Sequence, residues 1–200
     1  MCGIIGLSVG NNSTLSNSNI ERIFNELLIL SETRGKESSG VAIKNCDQKS
    51  IGVYKAPIPA SQLLKNKDFK NFYKEYAHRS GSHSAVSMIA HARLVTNGSQ
   101  QNNNNNQPVI KNGFVAVHNG IVVNVDDLWK ENPTLNREFE LDTEVILALL
   151  SKNSNISNYV MGLQQSLHEV YGCVSMGVLF ENYNKQFIFT NHGSLYTLRV

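Results

Sequence analysis

The chain has 200 residues, within the roughly 100 to 200 usual for one domain. Its hydrophobic fraction of 41% and charged fraction of 17% are those of a globular protein with a buried core, and a net charge of +2 is too small to mark a nucleic-acid partner. Three cysteines, Cys2, Cys46 and Cys173, form no CxxC pair and no Cys/His zinc spacing. They therefore indicate neither a disulfide framework nor a metal, and a reducing compartment is expected. The N-terminus lacks a basic segment, and nowhere do about 18 apolar residues run together. A cytoplasmic protein without a membrane partner is the expectation.

Cys2 to Val9 is rich in Ile, Leu and Val and reads as a buried strand starting directly after Met1. Beyond the turn-forming Gly10 to Asn19, the residues Ile20, Ile23, Phe24, Leu27 and Leu28 recur at helical spacing. Ser18 and Glu21 supply a capping box, and a stop is expected near Gly35. Val41 to Ile43 and Ile51 to Tyr54 flank a polar turn as a hairpin, and one helix follows through Leu63, Leu64, Phe69, Phe72, Tyr73 and Tyr76. Strands at Val86 to Ala90 and Phe114 to Val117 enclose Asn97 to Gln107, an Asn/Gln-rich stretch whose composition predicts an exposed loop. Helices at Thr143 to Leu150 and Ile156 to Val170 precede strands at Cys173 to Phe180, Gln186 to Thr190 and Leu195 to Val200. Adjacent strands in runs, with helices between the runs, argue for α+β layers in which sheet packs on sheet and helices lie outside.

Cysteine at position 2 is small enough for Met1 to be removed, leaving a thiol and a free α-amine on one residue. The thiol's reference pKa of about 8.5 and the amine's of about 7.7 to 8.0 are closely matched, so the amine can act as the thiol's base near neutrality. Taken alone, such a cysteine is equally a small apolar residue at a strand start. It is joined by Arg34-Gly35-Lys36-Glu37-Ser38-Ser39-Gly40, His91-Ala92-Arg93-Leu94-Val95-Thr96-Asn97-Gly98, His118-Asn119-Gly120 and Leu141-Asp142-Thr143-Glu144.

In order and spacing these segments resemble the class II glutamine amidotransferases, whose glutaminase domain belongs to the N-terminal nucleophile hydrolases. The wording of Ala116 to Ile121 and Asp142 to Ile146 is closest to the glutaminase domain of glutamine-fructose-6-phosphate aminotransferases. The resemblance implies a four-layer αββα sandwich over residues 1–200 as a single domain, no cofactor, and hydrolysis of the glutamine side-chain amide through a Cys2 thioester. It further implies a synthase domain or subunit that accepts the ammonia, most closely one that makes an aminosugar. Asn119 and the Gly120 N–H correspond to an oxyanion hole, Arg93 to the reader of the α-carboxylate, and Asp142 to the partner of the α-ammonium. Thr96, Asn97 and Gly98 fall in the same pocket, and Arg34 beside the nucleophile.

Plainer roles stand next to these: Asn119-Gly120 as a hairpin turn, Asp142 as a helix N-cap, and Arg34 as a cation in the last turn of a helix. His91 and His118 read as packed histidines at strand ends, and Cys46 and Cys173 as non-catalytic. Leu94 stands where the sugar-forming enzymes carry tryptophan, and Asn97 where they carry histidine. Both differences bear on the loop that closes over glutamine. Alternatives are the glutaminase part of an amidophosphoribosyltransferase or asparagine synthetase, a hydrolase of other amides, and a glutamine-binding module without turnover. The chain is either a stand-alone or partnered glutaminase, or a piece of a longer synthase.

Overall fold

A computed structural model describes residues 2–80, 84–94, 103–153 and 158–199. The first strand, β1 (Gly3–Val9), is followed by α1 (Asn17–Ser31), β2 (Ser38–Asn45), β3 (Gly52–Ala56), α2 (Ala60–Leu63), α3 (Lys67–Ala77) and β4 (Val86–Arg93). The second half comprises β5 (Val109–Lys111), β6 (Phe114–Val122), α4 (Val125–Glu131), α5 (Asp142–Asn153), α6 (Tyr159–Glu169), β7 (Gly172–Phe180) and β8 (Tyr183–Thr190). Each half contributes one antiparallel sheet, in the orders β1-β4-β2-β3 and β5-β6-β7-β8.

Side chains alternate across each strand, and the alternation assigns the layers. Val41, Ile43, Met88 and Ala90 pack on Phe24 and Leu28 of α1, Leu63 of α2 and Phe69 and Tyr73 of α3. The intervening Ala42 and Ile89 instead meet Val115, Val117 and Leu179 of the other sheet, forming the seam between sheets. On the far side, Phe114, Ala116, Val174, Met176 and Val178 pack against Val145, Ile146, Leu149 and Leu163. The result is helix, sheet, sheet, helix, the four-layer αββα arrangement.

Local chemistry explains the helices and corrects several expectations. The N-cap of α1 is Ser16, whose Oγ accepts the Asn19 N–H at 3.2 Å, so the helix begins earlier than a Ser18/Glu21 box would set it. The expected single helix beyond Leu63 is two, because Asn66 accepts the N–H groups of Asp68 and Phe69 and starts α3 afresh. No strand forms over Leu195 to Arg199. The β7-β8 ladder ends at Thr190, where Asn191 takes over the Val174 N–H and the Gly172 carbonyl through its own amide, and Tyr196 and Leu198 beyond it are exposed. The short β5 and α4 had no clear sequence signal. His91, Arg93, His118, Asn119 and Gly120 lie inside β4 and β6 instead of beyond them, so Asn119-Gly120 is not a hairpin turn. A Cβ at Gly120 would fall on the Cys173 carbonyl oxygen of the neighbouring strand, which is why glycine stands there.

In the described part of the Asn/Gln-rich stretch Asn103 is exposed, as expected, but Asn105, Asn106 and Gln107 are buried. The Asn106 amide bonds to the first sheet and the Gln107 amide to the second. Among the described residues no helix is long and apolar enough to cross a membrane.

One buried ion cluster ties α5 to the second sheet. The Glu144 side chain, wholly buried, accepts Lys111 Nζ at 2.9 Å and the backbone N–H groups of Glu138 and Phe139 at 2.8 Å each. Lys111 also reaches Glu138 Oε1 at 2.6 Å and the Asn136 carbonyl at 2.7 Å. Removing one partner of such a pair leaves a buried charge and orphaned donors, so Glu144→Ala should lower the unfolding free energy by about 3 to 5 kcal/mol. Denaturant titration will measure the loss.

Candidate active site

In the antiparallel register Gly3 faces Ala92, which brings Cys2 alongside Arg93 and Leu94. The Cys2 Sγ lies 3.7 Å from the Leu94 carbonyl oxygen. Ile4 packs into the seam between sheets, and Cys2, two residues earlier, shares that face. Arg93 has the same parity as Ile89, and Asn119 the same as Val117, so all three side chains belong to the inter-sheet face at one end of the sandwich. The stacking of Ile89 against Gly177 and Val117 aligns these strand ends across the seam.

The Arg93 side chain is buried, and its Nη1 donates to Asn106 Oδ1 at 2.7 Å. Burial pulls the guanidinium below its ordinary value, while the Cys2 thiol group and the Glu37 carboxylate act in the opposite sense. Gly35 packs directly on the Arg93 carbonyl and Leu94 nitrogen, and the Glu37 N–H donates to the Arg93 carbonyl, fixing the end of β4 against the chain leaving α1.

On the other sheet, β6 and the N-terminus of α5 assemble a second group. Asp142 Oδ2 accepts the Val122 N–H at 3.0 Å, and its Oδ1 lies 3.6 Å from His118 Nδ1. His118 Nδ1 in turn meets Thr143 Oγ1 at 3.1 Å. Burial pushes the Asp142 carboxyl up, but the His118 contact and the N–H groups of Val122 and Thr143 outweigh it and hold the group below its ordinary value. Among the described residues the carboxylate meets no helical N–H beyond Thr143's, and it remains 28% exposed.

These two groups, Cys2 with Arg93 and His118 with Asp142, are bridged by residues that sequence reasoning did not single out. Asn106 contacts Arg93, and Gln107 accepts the His118 N–H at 2.5 Å and donates to its carbonyl at 3.0 Å. Nothing in an Asn/Gln run distinguishes these two amides from their neighbours, apart from the proline that follows. Thr96, Asn97 and Gly98 lie outside the described residues. Arg34 sits on the 3-10 turn Glu32–Arg34, beside the start of β1, with its side chain exposed and no hydrogen bond or ion pair among the described residues. Its expected contact with the N-terminal residue is not made here. No cluster of metal-binding side chains occurs among the described residues. The apolar groove along α1, between Ile29, Leu30 and Leu64, contains none of the residues above.

Residues 91–199 match the family model described as a glutamine amidotransferase domain, more than half of the chain. The chain belongs to that family. As a glutamine amidotransferase domain it is similar to the glutamine–fructose-6-phosphate aminotransferase (isomerizing) of Legionella pneumophila strain Lens, with 27% identity over 97% of this chain and 30% of the relative. The corresponding enzyme of Rhizobium meliloti is 32% identical over 91% of this chain and 27% of its own. The chain thus spans about a third or less of these relatives. Among solved structures, the glutamine phosphoribosylpyrophosphate amidotransferase from B. subtilis, complexed with ADP and GMP, superposes with a TM-score of 0.67 at 20% identity, covering 95% of this chain and 37% of that one. That likeness shows the fold, the four-layer αββα sandwich.

His91 of this glutamine amidotransferase domain is 1% exposed, and among the described residues neither ring nitrogen has a hydrogen-bond partner. Burial, with Arg93 and His118 adding to it, pulls its pKa from 6.5 down to about 3. The native imidazole stays neutral while the unfolded chain takes up a proton, so this site's full stability is present above pH 6.5 and is lost progressively as pH falls from there toward about 3. Stability should fall by up to about 1.4 kcal/mol per pH unit through this one group. His91→Gln should flatten the slope of unfolding free energy against pH by that amount between pH 6 and 4, about the range over which the proton difference is largest.

Proposed function

We propose that the chain hydrolyses the side-chain amide of glutamine to glutamate and ammonia with Cys2 as nucleophile. The observation that carries this reading is the position of the thiol: Cys2 opens an edge strand paired in register beside Arg93, on the face that looks across at Asn119. Removal of Met1 leaves the Cys2 α-amine next to its own thiol, where it takes the thiol proton. The thiolate adds to the carboxamide carbon, and the negative oxygen of the tetrahedral intermediate is met by the Asn119 side chain and the Gly120 N–H. Collapse breaks the carbon–nitrogen bond, with the amine returning its proton to the leaving ammonia. Water then hydrolyses the Cys2 thioester, releasing glutamate.

Arg93 and Asp142 select the substrate. A guanidinium suits a carboxylate through its planar fork, and the Asp142 carboxylate, ionised at neutral pH and partly exposed, suits an ammonium. Thr96, Asn97 and Gly98 complete the pocket, with Arg34 standing exposed near the start of β1. The ammonia serves a synthase domain or partner subunit. Since the relatives named above are fructose-6-phosphate aminotransferases, an aminosugar-forming acceptor is the reading we favour, with Leu94 and Asn97 adjusting how the pocket closes.

Protein of verified N-terminus should release ammonia from glutamine, and Cys2→Ala should abolish release while retaining the fold. Arg93→Ala and Asp142→Asn should each raise KM for glutamine by a factor of about 30 or more, the lower end expected for truncating one partner of a buried charge pair. Full activity in Cys2→Ala, in a coupled ammonia assay, would show that the nucleophile is another group.

A further inference from the structure

We propose that Asn106 and Gln107 are positioning residues that set the separation of Arg93 from Asp142, and thereby select the zwitterionic head of a free α-amino acid. The proposal rests on the glutaminase reading above and deepens it by assigning the origin of substrate selectivity.

Adjacent in sequence, the two residues face opposite sheets. Asn106 has no exposed surface, and its Oδ1 accepts both Arg93 Nη1 at 2.7 Å and Ser38 Oγ at 3.0 Å. Its Nδ2 donates to Asn103 Oδ1 at 3.2 Å, and its backbone carbonyl accepts Lys55 Nζ at 3.0 Å. Every polar atom used here points into the first sheet or its own turn.

Gln107 does the same for the second sheet. Its amide makes a two-point contact with the backbone of His118, as given above, and Nε2 also lies 3.5 Å from Thr143 Oγ1. Among the described residues, Thr143 and His118 are the side chains that touch the Asp142 carboxylate. From guanidinium to carboxylate the path therefore runs Arg93, Asn106, Gln107, then His118 and Thr143, and finally Asp142. Neighbouring Cα atoms are held about 3.8 Å apart by a trans peptide and closer by a cis one, so the two amides cannot drift independently. The pair is also seated against β2, because a Cβ on Gly40 would fall on the Gln107 carbonyl oxygen.

A primary amide suits both positions. It carries a strong acceptor and two donors without a charge of its own, so it can fix Arg93 without placing a carboxylate against it. None of the bond-making steps at Cys2 requires either residue, which separates their effect on selection from any effect on chemistry.

The test uses three amides: glutamine, γ-aminobutyramide, which lacks the α-carboxylate, and glutaramate, which lacks the α-amine. Asn106→Leu and Gln107→Met remove the polar atoms while nearly conserving volume. Leaving a buried partner unsatisfied should cost about tenfold in the relevant kcat/KM. Asn106→Leu should therefore shrink the preference for glutamine over γ-aminobutyramide by about tenfold, through KM, and leave the preference over glutaramate within about twofold. Gln107→Met should show the reverse pattern. Where either variant fails to fold, Ser38→Ala and Thr143→Val remove one hydroxyl from the same two networks and should shift the same two ratios in the same directions, by less. A general loss of kcat with both ratios unchanged, or equal loss of both ratios in each variant, would overturn the proposal while leaving the glutaminase reading intact. Wild-type protein inactive on glutamine would overturn that reading and this proposal with it.

Discussion

The pairing of β1 with β4 is the constraint on which the site depends. Because side chains alternate along a strand, a slip of one residue would turn Cys2 from the inter-sheet face to the helix face. The register is fixed redundantly. Ile5, Leu7 and Val9 pack with the helices, while Ile4 enters the seam. Gly3 has Ser31 against it with no room for a Cβ, and Gly6 lies directly beneath the Gln186 amide of the second sheet. In any other register one of those two close approaches would meet a side chain. Cys2, immediately before the first residue of β1, is steadied by the strand that follows it, so its orientation has to come from those residues.

The two halves of the sandwich give Lys111 and Lys55 different partners. Lys111 is given two carboxylates, Glu138 and Glu144, and although burial is the largest single influence on it, their combined effect raises its pKa. Lys55 is given the Asn106 carbonyl, and burial lowers its pKa. The Lys111 cluster lies behind α5, where a compensated charge only has to stay compensated. Lys55 and Arg93 converge instead on Asn106, whose backbone carbonyl accepts the first and whose side-chain oxygen accepts the second.

Much of the architecture was legible in the sequence. Strands and helices with several regularly spaced apolar residues, such as Val41 to Ile43 or Ile20 to Leu28, appear where periodicity put them, because burying one face dominates their energetics. Boundaries fared worse. The apolar run of β4 stops at Ala90 and that of β6 at Val117, yet both strands continue through His91 to Arg93 and His118 to Gly120, since ladder hydrogen bonds do not require apolar side chains. The same extension is what carries the site residues. Leu195 to Arg199 fails in the opposite direction: among the described residues its apolar side chains meet no neighbouring strand, and composition alone gave a false strand.

Asn106 and Gln107 mark the limit of such reading in physical terms. Composition treats an amide as a solvated group, because a buried amide without partners costs several kcal/mol, about 1 to 3 by mutational measures. That penalty vanishes when the partners are present, and here they come from Arg93, Ser38, His118 and Thr143, all distant in sequence. Apart from the bonds of Asn106 to Asn103 within its own turn, the justification of this burial is non-local, and no local pattern signals it. The Arg93 and Asp142 motifs escape this limit only because a resemblance supplied their role; read for propensity alone, Asp142 begins a helix and Arg93 ends a strand. What converts those two into a pair is the pair of amides between them, and that relation exists only once the two sheets have met.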